Sequence, residues 1–367
     1  MRWSLRLHVT VVLLLAGLAA CLVAGVLWLL LGRPPLPVAG PLKPGEVYDG
    51  IKIALAIVAG TGGAVALVVG YRRQYLTEVS ETRAHERAFT DRFGAAAEQL
   101  GADQPAARMA GAYAMARLAD AWNQERQTCI DVLCGYLRMP FAPDPPAGEQ
   151  AFDDWRRERE VRKTVLRLIA AHLRDGSTES WQGCDLDFTG AVFDEADFRG
   201  ARFTGGEILF INAVFVGHGR DQVVFDEVEF AEGSHVYFRL AEFRGGHIRF
   251  DRATFSGGWV TFDHARFTGA RVNFRDAAFT AGEVRFEGAE FTDGLVDFTG
   301  SAFTGADVNF GERHLATLHS AVPAARFTGG TVDLSRSAAF VRSPRFGLRT
   351  IPEGLLLPPG TGISDLS

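Results

Sequence analysis

Residues 265–288 read Ala265-Arg266-Phe267-Thr268-Gly269-Ala270-Arg271-Val272-Asn273-Phe274-Arg275-Asp276-Ala277-Ala278-Phe279-Thr280-Ala281-Gly282-Glu283-Val284-Arg285-Phe286-Glu287-Gly288. Two units of one pattern stand side by side, Ala-x-Phe followed by Val-x-Phe. Outward from this stretch the rings run from Phe238 through Phe243, Phe250, Phe255, Phe262, Phe267, Phe274, Phe279, Phe286, Phe291, Phe298 and Phe303 to Phe310, with gaps alternating between 5 and 7, a period of 12. Upstream, Phe188, Phe193, Phe198 and Phe203 follow at gaps of 5 alone. Repetition at so short a period marks a solenoid, in which each unit is too small to bury its own apolar face and must stack on its neighbours.

The position two before each ring is also controlled. Ala191, Ala196, Ala201, Ala213, Ala241, Ala253, Ala265, Ala277 and Ala289 precede one set; Val223, Val236, Val260, Val272, Val284, Val296 and Val308 precede the other. In extended chain, positions i and i−2 share a face, so a small residue and a ring enter the same interior at each step. Helical spacings of 3 and 4 are missing from the run. Burying one phenylalanine stabilises by about 2–3 kcal/mol, against roughly 1–2 kcal/mol of backbone entropy for each residue ordered. One coil alone does not fold; several stacked coils do.

The units Ala191-Val192-Phe193-Asp194-Glu195, Ala196-Asp197-Phe198-Arg199-Gly200 and Ala201-Arg202-Phe203-Thr204-Gly205 resemble the pentapeptide-repeat family. The resemblance implies an all-β solenoid, a right-handed quadrilateral β-helix with one five-residue unit per side. After Phe203 the sequence departs from the simplest pattern, because two extra residues such as Ala270-Arg271 follow every second unit. Read as bulged corners, they make each coil two periods long, with Phe255 stacking on Phe279 and Phe267 on Phe291. A flattened coil one period long would instead set Phe255 on Phe267. The uninterrupted five-residue steps from Phe188 to Phe203 favour four sides. A Gly-rich insertion lies around Gly217-His218-Gly219 and a larger one at 311–324, before the pattern resumes at Ala325-Arg326-Phe327 and Val332-Asp333-Leu334.

The other end of the chain differs. Residues 9–31 are almost wholly apolar, and a second apolar stretch covers 51–70; about 20 such residues span a bilayer core. Together they predict a transmembrane hairpin. The first run exceeds a signal-peptide core and is followed by a second, and Leu18-Ala19-Ala20-Cys21 lacks the polar continuation of a lipoprotein. Arg2 and Arg6 precede the first span and Arg72, Arg73, Arg83 and Arg87 follow the second. The positive-inside rule therefore puts both termini in the cytoplasm and the Pro-rich loop from Arg33 to Gly50 outside.

Residues 72–100, Ala106–Leu118, Thr128–Leu137 and Trp155–Leu173 carry helical periodicity. The order Gln99-Leu100-Gly101, Ala110-Gly111-Ala112-Tyr113-Ala114, Val132-Leu133-Cys134-Gly135-Tyr136-Leu137-Arg138 and Ile169-Ala170-Ala171-His172-Leu173 resembles the helical region of actinobacterial membrane-anchored pentapeptide-repeat proteins. The organisation expected is a transmembrane hairpin at 1–71, a cytoplasmic helical module at 72–175, the β-helix at 181–340 and a Pro- and Gly-rich tail at 341–367.

No cofactor or metal site is expected. Cys21, Cys129, Cys134 and Cys184 form no Cys-x-x-Cys pair and read as free thiols. Gly60-Thr61-Gly62-Gly63 lacks the Lys-Ser or Lys-Thr of a phosphate loop. His218, His235, His247 and His264 recur at spacings of 17, 12 and 17, which the repeat sets. No catalytic constellation stands out, so no enzyme is expected. Between Cys184 and Phe310 there are 21 Asp and Glu against 11 Arg, a net of −10 in a chain of net −6. The sequence thus predicts a bacterial, multi-pass inner-membrane protein: a non-enzymatic scaffold for protein–protein interaction at the cytoplasmic face, with the lipid bilayer and an unidentified protein as partners. The alternative, implied by the resemblance, is an acidic DNA-mimicking β-helix that binds a type II topoisomerase or another nucleic-acid-binding protein. Nucleic acid itself is not an expected partner of so acidic a rod.

Overall fold

The structure, a computed structural model, describes residues 44–217, 222–315, 320–347 and 350–361, together with nine isolated helical positions between Thr10 and Leu29. The chain separates into two compact units, Met1–Ala88 and Phe89–Ser367. Four helices come first: α1 (Pro44–Leu100), α2 (Pro105–Ala121), α3 (Arg126–Arg138) and α4 (Glu149–Leu173). Helix α1 begins earlier than the Pro-rich loop was expected to end, because Pro44 sits in its first turn, where a missing N–H costs nothing. It then runs unbroken from the second apolar stretch into the charged segment after Arg72, with Gly60-Thr61-Gly62-Gly63 inside it. Among the described residues, no helix is long and apolar enough to cross a membrane. The expected transmembrane hairpin is therefore not supported: its first span lies mostly outside the described residues, and its second is diluted by glycine and continues directly into charge.

The solenoid has about six turns. Its parallel ladders join Phe255 to Phe279 and Phe267 to Phe291, so one coil takes two periods of the repeat, as the corner reading predicts. The rings form four columns, one per side. The first holds Phe188, Phe210, Phe238, Phe262, Phe286, Phe310 and Phe346; the second Phe193, Phe215, Phe243, Phe267, Phe291 and Phe327. The third runs Phe198, Phe225, Phe250, Phe274 and Phe298 to Leu334, and the fourth Phe203, Phe230, Phe255, Phe279, Phe303 and Phe340. Successive rings of a column stack with centroids 4.4–5.6 Å apart, the spacing of paired strands.

Two kinds of corner alternate. After a ring of the first or third column the chain turns sharply, with the residue two further on at φ between 54° and 76°, as at Leu240, Arg252, His264, Asp276 and Gly300. The turn closes through bonds such as Ala265 N–H to the Phe262 carbonyl, 3.0 Å. After a ring of the second or fourth column the two extra residues carry the strand round a wider bend, and the ladder shifts register there. Threonines tie that bend to the previous coil: Thr280 Oγ1 donates to the Phe255 carbonyl at 3.2 Å and Thr292 Oγ1 to that of Phe267 at 3.1 Å.

The insertion at 311–324 forms an antiparallel pair, Arg313–Leu315 with Ser320–Val322. The stretch from 341 onward adds Phe346 to the first column and pairs Leu355 with Val332.

Helices α2, α3 and α4 pack around Met115, Ile130, Leu133, Val165 and Ile169, with the end of α1 contributing Ala96 and Leu100. At the centre, Arg162 is buried and donates to the carbonyls of Tyr136 (3.4 Å), Leu137 and Met139 (3.5 Å). It thereby satisfies the C-terminal end of α3, where orphan carbonyls and the helix dipole both favour a cation. The module also covers the first coil. Gln127 Nε2 donates to the Asp185 carbonyl (2.9 Å), and Arg174 to those of Arg199 (2.7 Å) and Asp197 (2.9 Å). Arg138 pairs with Asp187, Arg159 with Asp194, and Lys163 with Glu195 at 2.8 Å. An open sheet edge is a template for wrong pairing; here side chains of α3 and of the segment after α4 occupy its carbonyls.

Candidate interaction surface

The phenylalanines singled out by their spacing all lie in the four columns and are buried, so they fill the interior and none reaches a surface. The columns also take Phe210, Phe215, Phe225 and Phe230, which the regular period passes over, and Phe340 and Phe346, which follow the last unit read from the sequence at Val332-Asp333-Leu334. Phe210–Phe215 and Phe225–Phe230 keep the five-residue step within each pair while the gaps between pairs change; Phe340 and Phe346, six residues apart, do not follow it.

Whatever the solenoid does is done by the residues flanking each ring, which point outward and meet their counterparts one coil away. On the second side Glu242, Arg266, Glu290 and Arg326 follow one another in register. Arg266 and Arg326 both approach Glu290, at 3.9 and 3.7 Å, and Arg244 holds Glu242 at 2.7 Å. Signs alternate along this row.

The third side sinks its charges deeper. Asp226 is buried, paired with Arg249 at 2.5 Å, and burial pushes its carboxyl up. Burial acts likewise on Asp297, but the hydroxyl and N–H of Thr299, with Arg275 at 2.8 Å, outweigh it and leave that carboxyl below its ordinary range. These two carboxylates thus spend their charge on partners within the solenoid.

The first side carries an aromatic ridge. Trp259 meets His235 edge-on at 5.8 Å and Tyr237 at 6.1 Å, and the Arg285 guanidinium lies 4.7 Å from the indole centroid, itself held by Glu283 at 2.5 Å. Leu209 stands in register beside Tyr237. All are partly exposed.

The family model described as Pentapeptide repeats (8 copies) matches residues 184–206, the first coil. The first coil of the solenoid is built of pentapeptide repeats. No curated protein and no solved structure matches the chain.

Where the pentapeptide-repeat solenoid meets the helices, a cleft of about 690 Å³ opens between α4 and the first two coils. Lys163, Arg167 and Arg174 line it together with Glu160, Glu195 and Asp197, a balanced set of charges. Arg167 donates to Tyr113 Oη at 3.3 Å. Apart from this cleft, just before the repeats, Asp120 accepts from the Trp181 indole (3.0 Å) and lies 3.2 Å from His172 Nε2, while the imidazole stacks on Trp181 at 4.1 Å. This links α2, α4 and the first coil.

The four cysteines are free. Burial pushes the Cys129 thiol up to about 11 and that of Cys134 up to about 12, which suppresses the reactive thiolate. The repeat separates the histidines: His235 belongs to the first side, His247 to the third, and His264 to the corner after the first, while His218 lies outside the described residues. Among the described residues, no group of three or more His, Cys, Asp or Glu is placed to hold a metal ion.

Proposed function

We propose that this protein is a membrane-anchored, non-enzymatic scaffold that presents the first side of its pentapeptide-repeat solenoid to a protein partner at the cytoplasmic face of a bacterial inner membrane. The ridge of Tyr237, Trp259 and Arg285 carries the reading. Tyr, Trp and Arg are the residue types that anchor protein interfaces, and here a rigid stack holds them at fixed spacing on a surface otherwise made of Asp, Glu, Arg and Thr. The anchor rests on the apolar sequence of residues 9–31 and on Ile51, Ile53, Leu55, Leu67 and Val69, whose side chains stand exposed along α1. Apolar surface of that extent is costly in water, and the arginines from Arg72 onward give the orientation. Against DNA mimicry stands the alternation of Glu242, Arg266, Glu290 and Arg326, since a phosphate mimic needs one sign repeated.

The test is crosslinking in native membranes with the wild-type chain and Trp259→Ala. A crosslinked partner that the variant loses supports the reading. The same partner captured equally by both rejects the ridge, a topoisomerase subunit favours the mimic, and recovery of the full-length chain in the soluble fraction rejects the anchor.

A further inference from the structure

We infer that Asp293–Gly294, at the wide corner after Phe291, is a site of spontaneous backbone rearrangement to β-aspartate. The chain contains three Asp–Gly steps, at 49–50, 175–176 and 293–294. Glycine after aspartate exposes the following amide nitrogen to the side-chain carboxyl, and the fold decides which steps can use that exposure.

At Asp293 the conditions coincide. The ladder steps from Thr268 opposite Asp293 to Arg271 opposite Leu295, so Gly294 has no partner in the neighbouring strand. Its N–H is turned onto Oδ1 of Asp293, 2.7 Å away, which folds the carboxyl back over the nitrogen that must attack it. Gly294 adopts φ 87°, and a Cβ there would stand 2.3 Å from the Ala270 carbonyl oxygen, so the corner admits only glycine. Asp293 is exposed, leaving water free access.

The other two steps are held. Asp49–Gly50 lies inside α1, where helical geometry fixes the amide, and Asp49 accepts from Lys52 Nζ at 3.1 Å. Both oxygens of Asp175 accept from Arg202 at 3.2 Å, and Gln182 donates to one at 3.3 Å. A carboxylate so held keeps its oxygens.

The chemistry needs no partner. The Gly294 nitrogen bonds to Cγ of Asp293, one Cγ–O bond breaks, and that oxygen leaves as water with the amide proton and the proton of the carboxyl. Water then opens the cyclic imide at either carbonyl, giving back aspartate or giving β-aspartate, in which the main chain runs through the side-chain carbon. The extra main-chain atom falls where the ladder already steps, so the coil accommodates it and the altered corner stays open to solvent.

The test is ageing of the folded full-length chain in near-neutral buffer, followed by trypsin digestion, separation of residues 286–313 with mass detection, and methylation by an isoaspartyl methyltransferase. The expected result is first a species lighter by one water, then a second peptide of unchanged mass that accepts methyl label. Asp293→Glu should reduce the label to background, while peptides bearing Asp49 and Asp175 stay unlabelled. Equal labelling at all three steps, or labelling of residues 286–313 only after unfolding in urea, would overturn the inference. Melting of the aged protein keeps the two cases apart, since it should match that of the fresh protein.

Discussion

Phe267 in the solenoid has Phe243 stacked on one side at 4.7 Å and Phe291 on the other at 4.6 Å, and each of those is stacked in turn. Arg162 in the helical module has no such series behind it: one guanidinium serves the carbonyls of Tyr136, Leu137 and Met139, and burial lowers its affinity for its proton. Repetition spreads burial over equivalent positions, each supported by the next coil. The helical module concentrates it in a few groups that occur once. Damage should therefore travel along the solenoid and stay local among the helices.

The largest effect should come from Phe267→Asp. Truncating a buried Phe costs about 3–5 kcal/mol, and an unpaired buried carboxylate costs more; the neighbouring coils lose their template as well. Urea unfolding followed by circular dichroism should show strand signal lost well beyond one coil while helical signal remains.

Arg162→Met comes next. It removes the donor from buried carbonyls at about 1–3 kcal/mol per group left unsatisfied, offset in part by relief of the buried charge. The same unfolding experiment should show the helices destabilised and the later coils unchanged. Equal loss in the coils would break the contrast between the two regions.

Asp297→Asn should act through pH. The native carboxyl titrates below its unfolded value, so its contribution is complete above the ordinary Asp range and is lost as pH falls through the lowered folded value. Melting temperature against pH should fall less steeply on the acid side in the variant. Asp226, pushed up by burial, works in the opposite sense, with stability rising as pH falls through its raised value, and Asp226→Asn should remove that rise.

The smallest effect belongs to Arg266→Asp. Arg266 is exposed and 3.9 Å from Glu290, so the change costs about 0.2–1 kcal/mol through like charges placed opposite each other. Thermal melting should move slightly and the strand signal not at all.

The regular coils were legible because gaps of 5 and 7 report directly on two kinds of corner, which the φ values at Leu240, Arg252, His264 and Asp276 and the register shifts near Ser256 and Thr268 make visible. Coils of another length were not: the step from Phe188 to Phe210 is shorter than two periods, and those from Phe210 to Phe238 and from Phe310 to Phe346 are longer. A fixed-period reading loses the columns at those insertions; the five-residue step inside each pair survives at Phe210–Phe215 and Phe225–Phe230 but not after Phe310, where the second column resumes only at Phe327. The aromatic ridge was hidden for a related reason. His235 and Trp259 lie a full coil apart in the chain and become neighbours only once the coil length is applied, and the outward positions follow no residue rule. Arg162 could not be recognised in advance, because its partners are main-chain carbonyls of another helix.

Native-state hydrogen exchange on Phe267→Ala tests the contrast most directly. The account predicts that amides of the coil around Phe267 lose most protection, those of Phe250 and Phe286 lose part of it, and those of Ile130, Val165 and Ile169 in the helices keep theirs. An equal loss in helices and coils, or a loss confined to the immediate neighbours of residue 267, would contradict it.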